Sequence, residues 1–307
     1  ETLVGHIVMD NGLPVPVAAR EPATPASLPA KGGTPAAGRP LVAALFPGQG
    51  SQYTDMFRSL AADSNEVRRA VERLDTQASA AGLETLAAIA WQPGNGMGGV
   101  VWDTQWGMYL GDLLAWTVLE EMGFHPDVIA SHSFGEFPSL VAAGAWSFAE
   151  GARATKARAA AVDQLGPKQG AMLSVIARRD EVAAAIAPFA GRVWVCAENA
   201  PEQSVIGGES RAVDAVETLL EGRRIRSKRL AVPSPFHTPL LDAAAGKLGE
   251  AIAGMAIAAP ACRVYSSTTA APMVTPDDVR KSLVRQMTQT VRWVEVIEKL
   301  WAEGVRI

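Results

Sequence analysis

The chain reads as an α/β protein into which a smaller unit has been inserted. Three observations predict this. Short apolar runs (Leu41–Phe46, Val128–Ala130, Arg263–Ser267) alternate with longer segments of helical periodicity. One apolar run, Val128–Ala130, ends in a small polar triplet and passes at once into an Ala-rich apolar segment. The stretch from Ala171 to Val232 has its own strand–helix–strand–strand–helix–strand rhythm.

In chain order, Glu1 to Arg20 holds one strand-like run near Leu3–Met9. Residues 21–40 are rich in Pro, Ala and Gly and lack apolar periodicity, so they read as an extended linker. Residues 1–40 are therefore an upstream linker region, and a linker implies a domain before it. Leu41–Phe46 is a buried-strand run stopped by Pro47–Gly48–Gln49–Gly50–Ser51–Gln52, and helical periodicity follows from about Asp55 to Ala80. Gly94–Gly99 formally matches G-x-G-x-x-G, but it follows Pro93 rather than a strand and opens no good helix. It reads as a surface loop rather than a dinucleotide site. Trp106 to Met122 is a buried helix, and Gly123 and Pro126 lead into the strand at Val128. A further helix covers Ala149–Gln164 and carries Arg158.

Within the insert, the strands are Ala171–Ala177, Arg192–Ala197, Gln203–Ile206 and Arg224–Val232. The helices are Arg179–Pro188 and Ser210–Glu221. That βαββαβ order is a ferredoxin-like unit. It places the insert at 168–233, with the larger α/β core in two pieces, 41–167 and 234–307. From Thr238 the core alternates helix, strand and helix. Gly304–Ile307 reads as the lead-in to a strand that the chain does not contain.

Composition narrows the function. Of the 307 residues, 48% are hydrophobic, enough for a substantial core, and 28 Lys+Arg against 32 Asp+Glu leave a net charge of -4. That balance argues against nucleic-acid binding. No apolar run is long enough to span a bilayer, and no signal peptide is evident, so no membrane is expected and the cytoplasm is the expected compartment. Cys196 and Cys262 can make neither a disulfide framework nor a zinc cluster; both read as buried thiols, and no metal is expected.

The chemistry centres on Ser131–His132–Ser133–Phe134–Gly135–Glu136. A strand–turn–helix context makes Ser133 a nucleophile-elbow serine, with its Oγ exposed and the Phe134 amide aimed at a developing oxyanion. The usual pattern is G-x-S-x-G, and here Ser131 replaces the first glycine. The plainer alternative is a helix N-cap, since Ser133 and Glu136 also form a capping box. A serine attacks only with a base beside it. Of four histidines, His6 precedes the linker, His125 lies at the far end of the elbow strand, and His132 neighbours Ser133 on a turn where side chains diverge. His237 sits in Val232–Pro239, a loop made rigid by three prolines, and is the candidate base.

These residues, in this order, resemble malonyl-CoA:acyl carrier protein transacylases. The Pro47–Gln52 turn, the Ser131–Glu136 elbow, Arg158, Phe236–His237, and Gln286 through Val291–Arg292–Trp293 carry the likeness from Leu41 onward. The chain looks most like the acyltransferase domains of type I polyketide synthases. Ser131 with Phe134 and Pro138 is similar to those of iterative enediyne synthases. The resemblance implies an α/β-hydrolase-like core with an inserted ferredoxin-like subdomain. It also implies malonyl transfer from malonyl-CoA through Ser133 to the phosphopantetheine thiol of an acyl carrier protein. His237 would act as base and then acid, and the amides of Gln49 and Phe134 would form the oxyanion hole. A backbone carbonyl near Gln286 would orient the histidine, so no acidic third member is needed. Arg158 would hold the malonyl carboxylate, Phe236 would wall the acyl α-carbon, and His132 would border the substrate. No cofactor is implied beyond malonyl-CoA as substrate. The partners would be a carrier protein domain and an upstream ketosynthase domain of the same chain.

The competing reading is a serine hydrolase of α/β-hydrolase type. It requires an acid between Ser133 and His237, and Asp163, Asp180 and Asp214 stand in poor contexts for it. A scaffolding domain with a degenerate site is the third reading, and intact Ser133, His237 and Arg158 speak against it. The basic run Arg223, Arg224, Arg226, Lys228, Arg229 reads either as a solvated strand edge or as a contact for coenzyme A phosphates or an acidic carrier.

Overall fold

The structure is a computed structural model that describes residues 39–92, 94, 97–166, 170–232 and 234–306. The linker at 1–38, with His6 in it, lies outside the described residues.

The chain enters β1 (Ala43–Phe46) and turns at Pro47–Ser51. The single periodic stretch expected over Asp55–Ala80 is two helices, α1 (Arg58–Asp63) and α2 (Asn65–Ala80). Ser64 divides them. Its Oγ accepts the Val67 N–H at 3.3 Å, so its side chain caps α2 instead of continuing a helix. A short α3 (Leu86–Ala90), absent from the sequence reading, is followed by α4 (Val101–Glu121), which starts five residues before the expected Trp106. β2 (Val128–Ser131) is buried at every residue, as a central parallel strand covered on both faces must be. It runs through a 3₁₀ turn at Ser133–Gly135 into α5 (Glu136–Ala142). α6 (Phe148–Asp163) opens on a capping box between Ser147 and Glu150.

The insert then folds as β3 (Ala171–Ile176), α7 (Arg179–Ile186), β4 (Val193–Ala200), β5 (Gln203–Gly208), α8 (Ser210–Gly222) and β6 (Arg226–Arg229). Its sheet is antiparallel throughout, in the order β4-β5-β3-β6. Leu173, Val175, Val193 and Ile206 form one buried cluster with Val182, Val213 and Val216 of the two helices. Met172, Cys196 and Val205 join the main core instead. Alternation along each strand therefore covers one face with helices and lays the other on the larger body.

The chain returns through α9 (Asp242–Ala253), β7 (Arg263–Tyr265), β8 (Pro272–Met273), α10 (Pro276–Arg285) and α11 (Trp293–Ala302). The main sheet has the order β1-β2-β7-β8, with the first three strands parallel and β8 antiparallel. Gly304–Ile307 was expected only to lead toward a missing strand. Instead Val305 itself pairs in parallel with Leu41, and the Leu41 N–H donates to the Gly304 carbonyl at 3.1 Å. β4 is tied to the segment between α10 and α11, where Val291 N–H donates to the Cys196 carbonyl and Glu198 N–H to the Val291 carbonyl, both 2.9 Å. Cys196 is buried, and burial pushes its thiol pKa up; Cys262, expected to be buried, is only half-buried at the start of β7. Among the described residues no helix is long and apolar enough to cross a membrane.

Candidate active site

The elbow rests on close approach. β2 passes beside β1, and the turn after β2 lies against the turn after β1. A Cβ on Gly135 would stand 2.5 Å from the carbonyl oxygens of both Phe46 and Pro47. A Cβ on Gly48 would stand 2.6 Å from the His132 carbonyl. Only glycine fits at either place. Ser131, where the first glycine of the usual elbow would be, is buried and bonds through its hydroxyl to Ser139 at 2.7 Å, which explains how a polar residue is accommodated. Ser133 itself has φ +50°, the strained left-handed conformation expected of an elbow nucleophile.

Ser133 and His237, 104 residues apart, meet: the Ser133 hydroxyl donates to His237 Nε2 at 2.7 Å. His237 also has positive φ, +65°, and its backbone N–H is held by the Met287 carbonyl at 2.9 Å. Its Nδ1–H donates to the Gln289 carbonyl at 3.2 Å, which fixes the tautomer and leaves the Nε2 lone pair facing Ser133. Burial pushes the His237 pKa down to about 3, assisted by the positive charge of Arg158 and by His132. The imidazole is thus neutral and ready to accept a proton at neutral pH. The capping-box alternative for Ser133 is not formed. Its partner Glu136 is fully buried and accepts instead from the Ser267 N–H (2.6 Å), the Ser267 hydroxyl (2.7 Å) and the Ser282 hydroxyl (3.0 Å).

Arg158, on α6, is fully buried. Its Nη2 donates to Gln286 Oε1 at 3.3 Å, and Gln286 Nε2 donates to the Ser133 carbonyl at 3.3 Å. The Nε and Nη1 groups have no hydrogen-bond partner among the described residues. The guanidinium lies 4.8 Å from the Phe236 ring centroid, 5.6 Å from Phe134 and 5.7 Å from Phe137. Burial lowers its pKa to about 9, opposed by the charge of Glu136. A buried guanidinium with Nε and Nη1 unpartnered among the described residues has the donors that an anion would need.

Gln49 lies half-buried in the turn after β1, where the Ser51 amide and hydroxyl both bond to the Gly48 carbonyl, at 3.3 and 3.0 Å. The Phe134 amide lies in the 3₁₀ turn, and its ring stacks on Phe137 at 5.3 Å. His132 diverges from Ser133, as adjacent residues on a turn must. Its Nε2–H donates to Asn199 Oδ1 of β4 at 2.8 Å, and its ring meets Trp293 edge-on at 5.6 Å. His125 is exposed before β2, at the opposite end of that strand. Asp180 and Asp214 form ion pairs with Arg178 and Arg229, and Asp163 is exposed at the end of α6. No acid therefore reaches His237 Nδ1, which a carbonyl already occupies. Sequence reasoning missed Glu136 as a buried countercharge; a lone acid in the apolar run Phe134–Trp146 was the available signal. It also missed Asn199, which carried no signal; the carbonyl expected near Gln286 to orient His237 is that of Gln289, three residues on. In the basic run, Arg229 pairs with Asp214 and Glu217, while Arg223, Arg224, Arg226 and Lys228 have no ion-pair partner among the described residues. The described residues hold no cluster of three or more potential metal ligands.

Comparison with known proteins agrees with this geometry. Residues 44–307 match the family model of the acyl transferase domain. The malonyl CoA-acyl carrier protein transacylase of Bacillus subtilis (strain 168) is 31% identical over 271 residues, covering 86% of this chain and 84% of that protein. The acyltransferase domain from the second module of the salinomycin polyketide synthase superposes with a TM-score of 0.77 at 29% identity, over 87% of this chain and 62% of that one. A type II polyketide synthase acyl-carrier protein in complex with its malonyl-transacylase (PlMCAT:AntF) contains a chain similar at TM-score 0.79 and 29% identity, with 86% of each chain covered. A serine on a strained elbow, a neutral histidine on its hydroxyl and a buried guanidinium behind them thus occur in a chain that belongs to the acyl transferase domain family.

Proposed function

We propose that the protein transfers malonyl groups from malonyl-CoA, through an acyl-enzyme on Ser133, to the phosphopantetheine thiol of an acyl carrier protein. The observation that carries this reading is Arg158: fully buried, with Nε and Nη1 unpaired, and linked to Ser133 through Gln286. A plain acyl group offers such a cation nothing to bind. A malonyl carboxylate supplies the two oxygens that a guanidinium fork matches.

In the first half-reaction Ser133 Oγ attacks the thioester carbon as His237 Nε2 takes its proton. The carbonyl oxygen becomes an oxyanion, for which the Phe134 and Gln49 amides are the proposed donors. Collapse breaks the carbon–sulfur bond, and the coenzyme A thiolate takes the proton back from Nε2. In the second half-reaction the carrier thiol attacks the Ser133 ester, with the same histidine as base, and Ser133 Oγ leaves with the proton. Phe236 walls the α-carbon. His132, bound to Asn199, would border the substrate through the turn it supports. No cofactor is required.

The architecture supports an α/β-hydrolase-like core, 41–167 with 234–307, and a ferredoxin-like subdomain at 168–233. Parallel β1, β2 and β7 around the elbow, and the β4-β5-β3-β6 order of the insert, are the grounds. The likeness to polyketide synthase acyltransferase domains supports a role in polyketide biosynthesis; a cytoplasmic location, a ketosynthase upstream of the 1–40 linker and an iterative enediyne-type synthase are the narrower parts of the proposal.

Intact-mass measurement tests the reading. Malonyl-CoA should add one malonyl mass to the wild type and none to Ser133→Ala; a label that persists in the variant removes Ser133 from the mechanism.

A further inference from the structure

We infer that Gln105 is a positioning residue for the Gln49 turn, and so for one half of the oxyanion hole. The inference rests on the acyl-transfer reading above. Gln105 stands in the second turn of α4 and is completely buried. Its Nε2 donates to Gln49 Oε1 at 3.4 Å, while its own Oε1 is buried without a partner. An unpaired buried amide oxygen destabilises a fold, and an apolar side chain of the same length would remove that cost. Stability alone therefore does not account for a glutamine here.

The turn it reaches is held from the other side by the elbow. Gly48 packs so tightly on the His132 carbonyl that a Cβ there would stand 2.6 Å away. Gln49 lies between that contact and Gln105. One side registers the turn against the nucleophile, and the other fixes the Gln49 side chain on α4. Without Gln105 the Gly48–Gln49 peptide plane can tilt through ψ of Gly48 and φ of Gln49, and glycine on either side of Gln49 does little to resist it. Small misplacements of a group aimed at the reacting atoms weaken its effect on the transition state more than substrate binding.

The test uses Gln105→Met, Gln49→Ala, the double variant and Gln105→Glu, with Tm and the single-turnover rate of malonylation read for each. Gln105→Met should keep or raise Tm and lower the saturated rate about 10- to 100-fold, with KM within about threefold of wild type. Gln49→Ala should lose a similar factor, and the double variant no more than either single one. In Gln105→Glu a protonated carboxyl can replace the amide donor. Its rate should rise toward wild type as pH falls from about 8 to about 5.5, while the wild-type rate changes little. Unchanged acylation in Gln105→Met, or a loss tracking a fall in Tm with additive behaviour in the double variant, overturns the inference alone. Failure of the wild type to take up malonyl overturns both it and the acyl-transfer reading.

Discussion

At the scale of single residues, the site is organised by what is left unpaired. Arg158 keeps its Nε and Nη1 without a hydrogen-bond partner among the described residues, beside the rings of three phenylalanines. Arg158→Ala should cost malonyl-CoA several kcal/mol of transition-state stabilisation, about 2–5, and leave acetyl-CoA nearly unaffected or improved. Competition between the two thioesters, read from acyl-enzyme masses, measures it, and equal losses would show a structural arginine. Phe236 packs on the Arg158 guanidinium at 4.8 Å, and in the proposed acyl-enzyme its ring would wall the α-carbon. A methyl branch would overpack the pocket by about 1–3 kcal/mol, a tenfold to hundredfold preference for malonyl over methylmalonyl. Phe236→Ser should narrow that gap.

His237 adds a pH signature. Its folded pKa, about 3, lies below its ordinary value of 6.5 because burial and Arg158 disfavour the cation. The unfolded chain therefore binds a proton between those values and the folded chain does not. The stability this residue contributes is complete above about pH 6.5 and is lost as pH falls toward about 3. Urea titrations should show wild type weakening over that window more than His237→Gln; a parallel pH dependence would place the lowered pKa elsewhere. For activity, His237→Ala should cut acylation by about 10²–10⁴ and His132→Ala by less. The reverse ranking would move the base to His132.

At the scale of elements, the strand–turn–helix of β2 and α5 was legible because its chemistry is local: a short apolar run, small residues, then an Ala-rich segment. What the sequence could not supply was the reason for each glycine. Gly135 exists because two carbonyls of another strand come within 2.5 Å of its missing Cβ. Gly135→Ala should destabilise the protein by about 1–3 kcal/mol and lower acylation more than stability, since relief requires moving the elbow; the ratio of Tm loss to rate loss checks it. Capping departs from the local pattern at two places. Ser133 with Glu136 matched a capping box that does not form, because the glutamate is drawn inward by Ser267 and Ser282. Ser64, in an apparently continuous helical stretch, does cap and so splits it. For Glu136, side-chain partners 131 and 146 residues distant decide the matter, and no local pattern encodes them; the Ser64 cap, by contrast, is a contact with Val67 three residues on.

At the scale of the whole molecule, the rhythm of the insert was readable because hairpin and crossover lengths are short and its apolar residues alternate cleanly. The pairing of Val305 with Leu41 was not, because it joins the two ends of the described chain through a single bridge. The meeting of Ser133 with His237 could be anticipated by elimination among four histidines, and the resemblance pointed to an orienting carbonyl near Gln286, though not to Gln289 as its owner. The histidine's absence of an acid partner bears on the central claim, transfer rather than hydrolysis. That claim is tested most directly by isolating the malonyl-enzyme, dividing it, and following the malonyl mass with and without holo carrier protein. The account predicts that the mass leaves Ser133 for the phosphopantetheine arm of the carrier and persists on the enzyme in buffer alone. Rapid release as free malonate in buffer, with the carrier unlabelled, would contradict it.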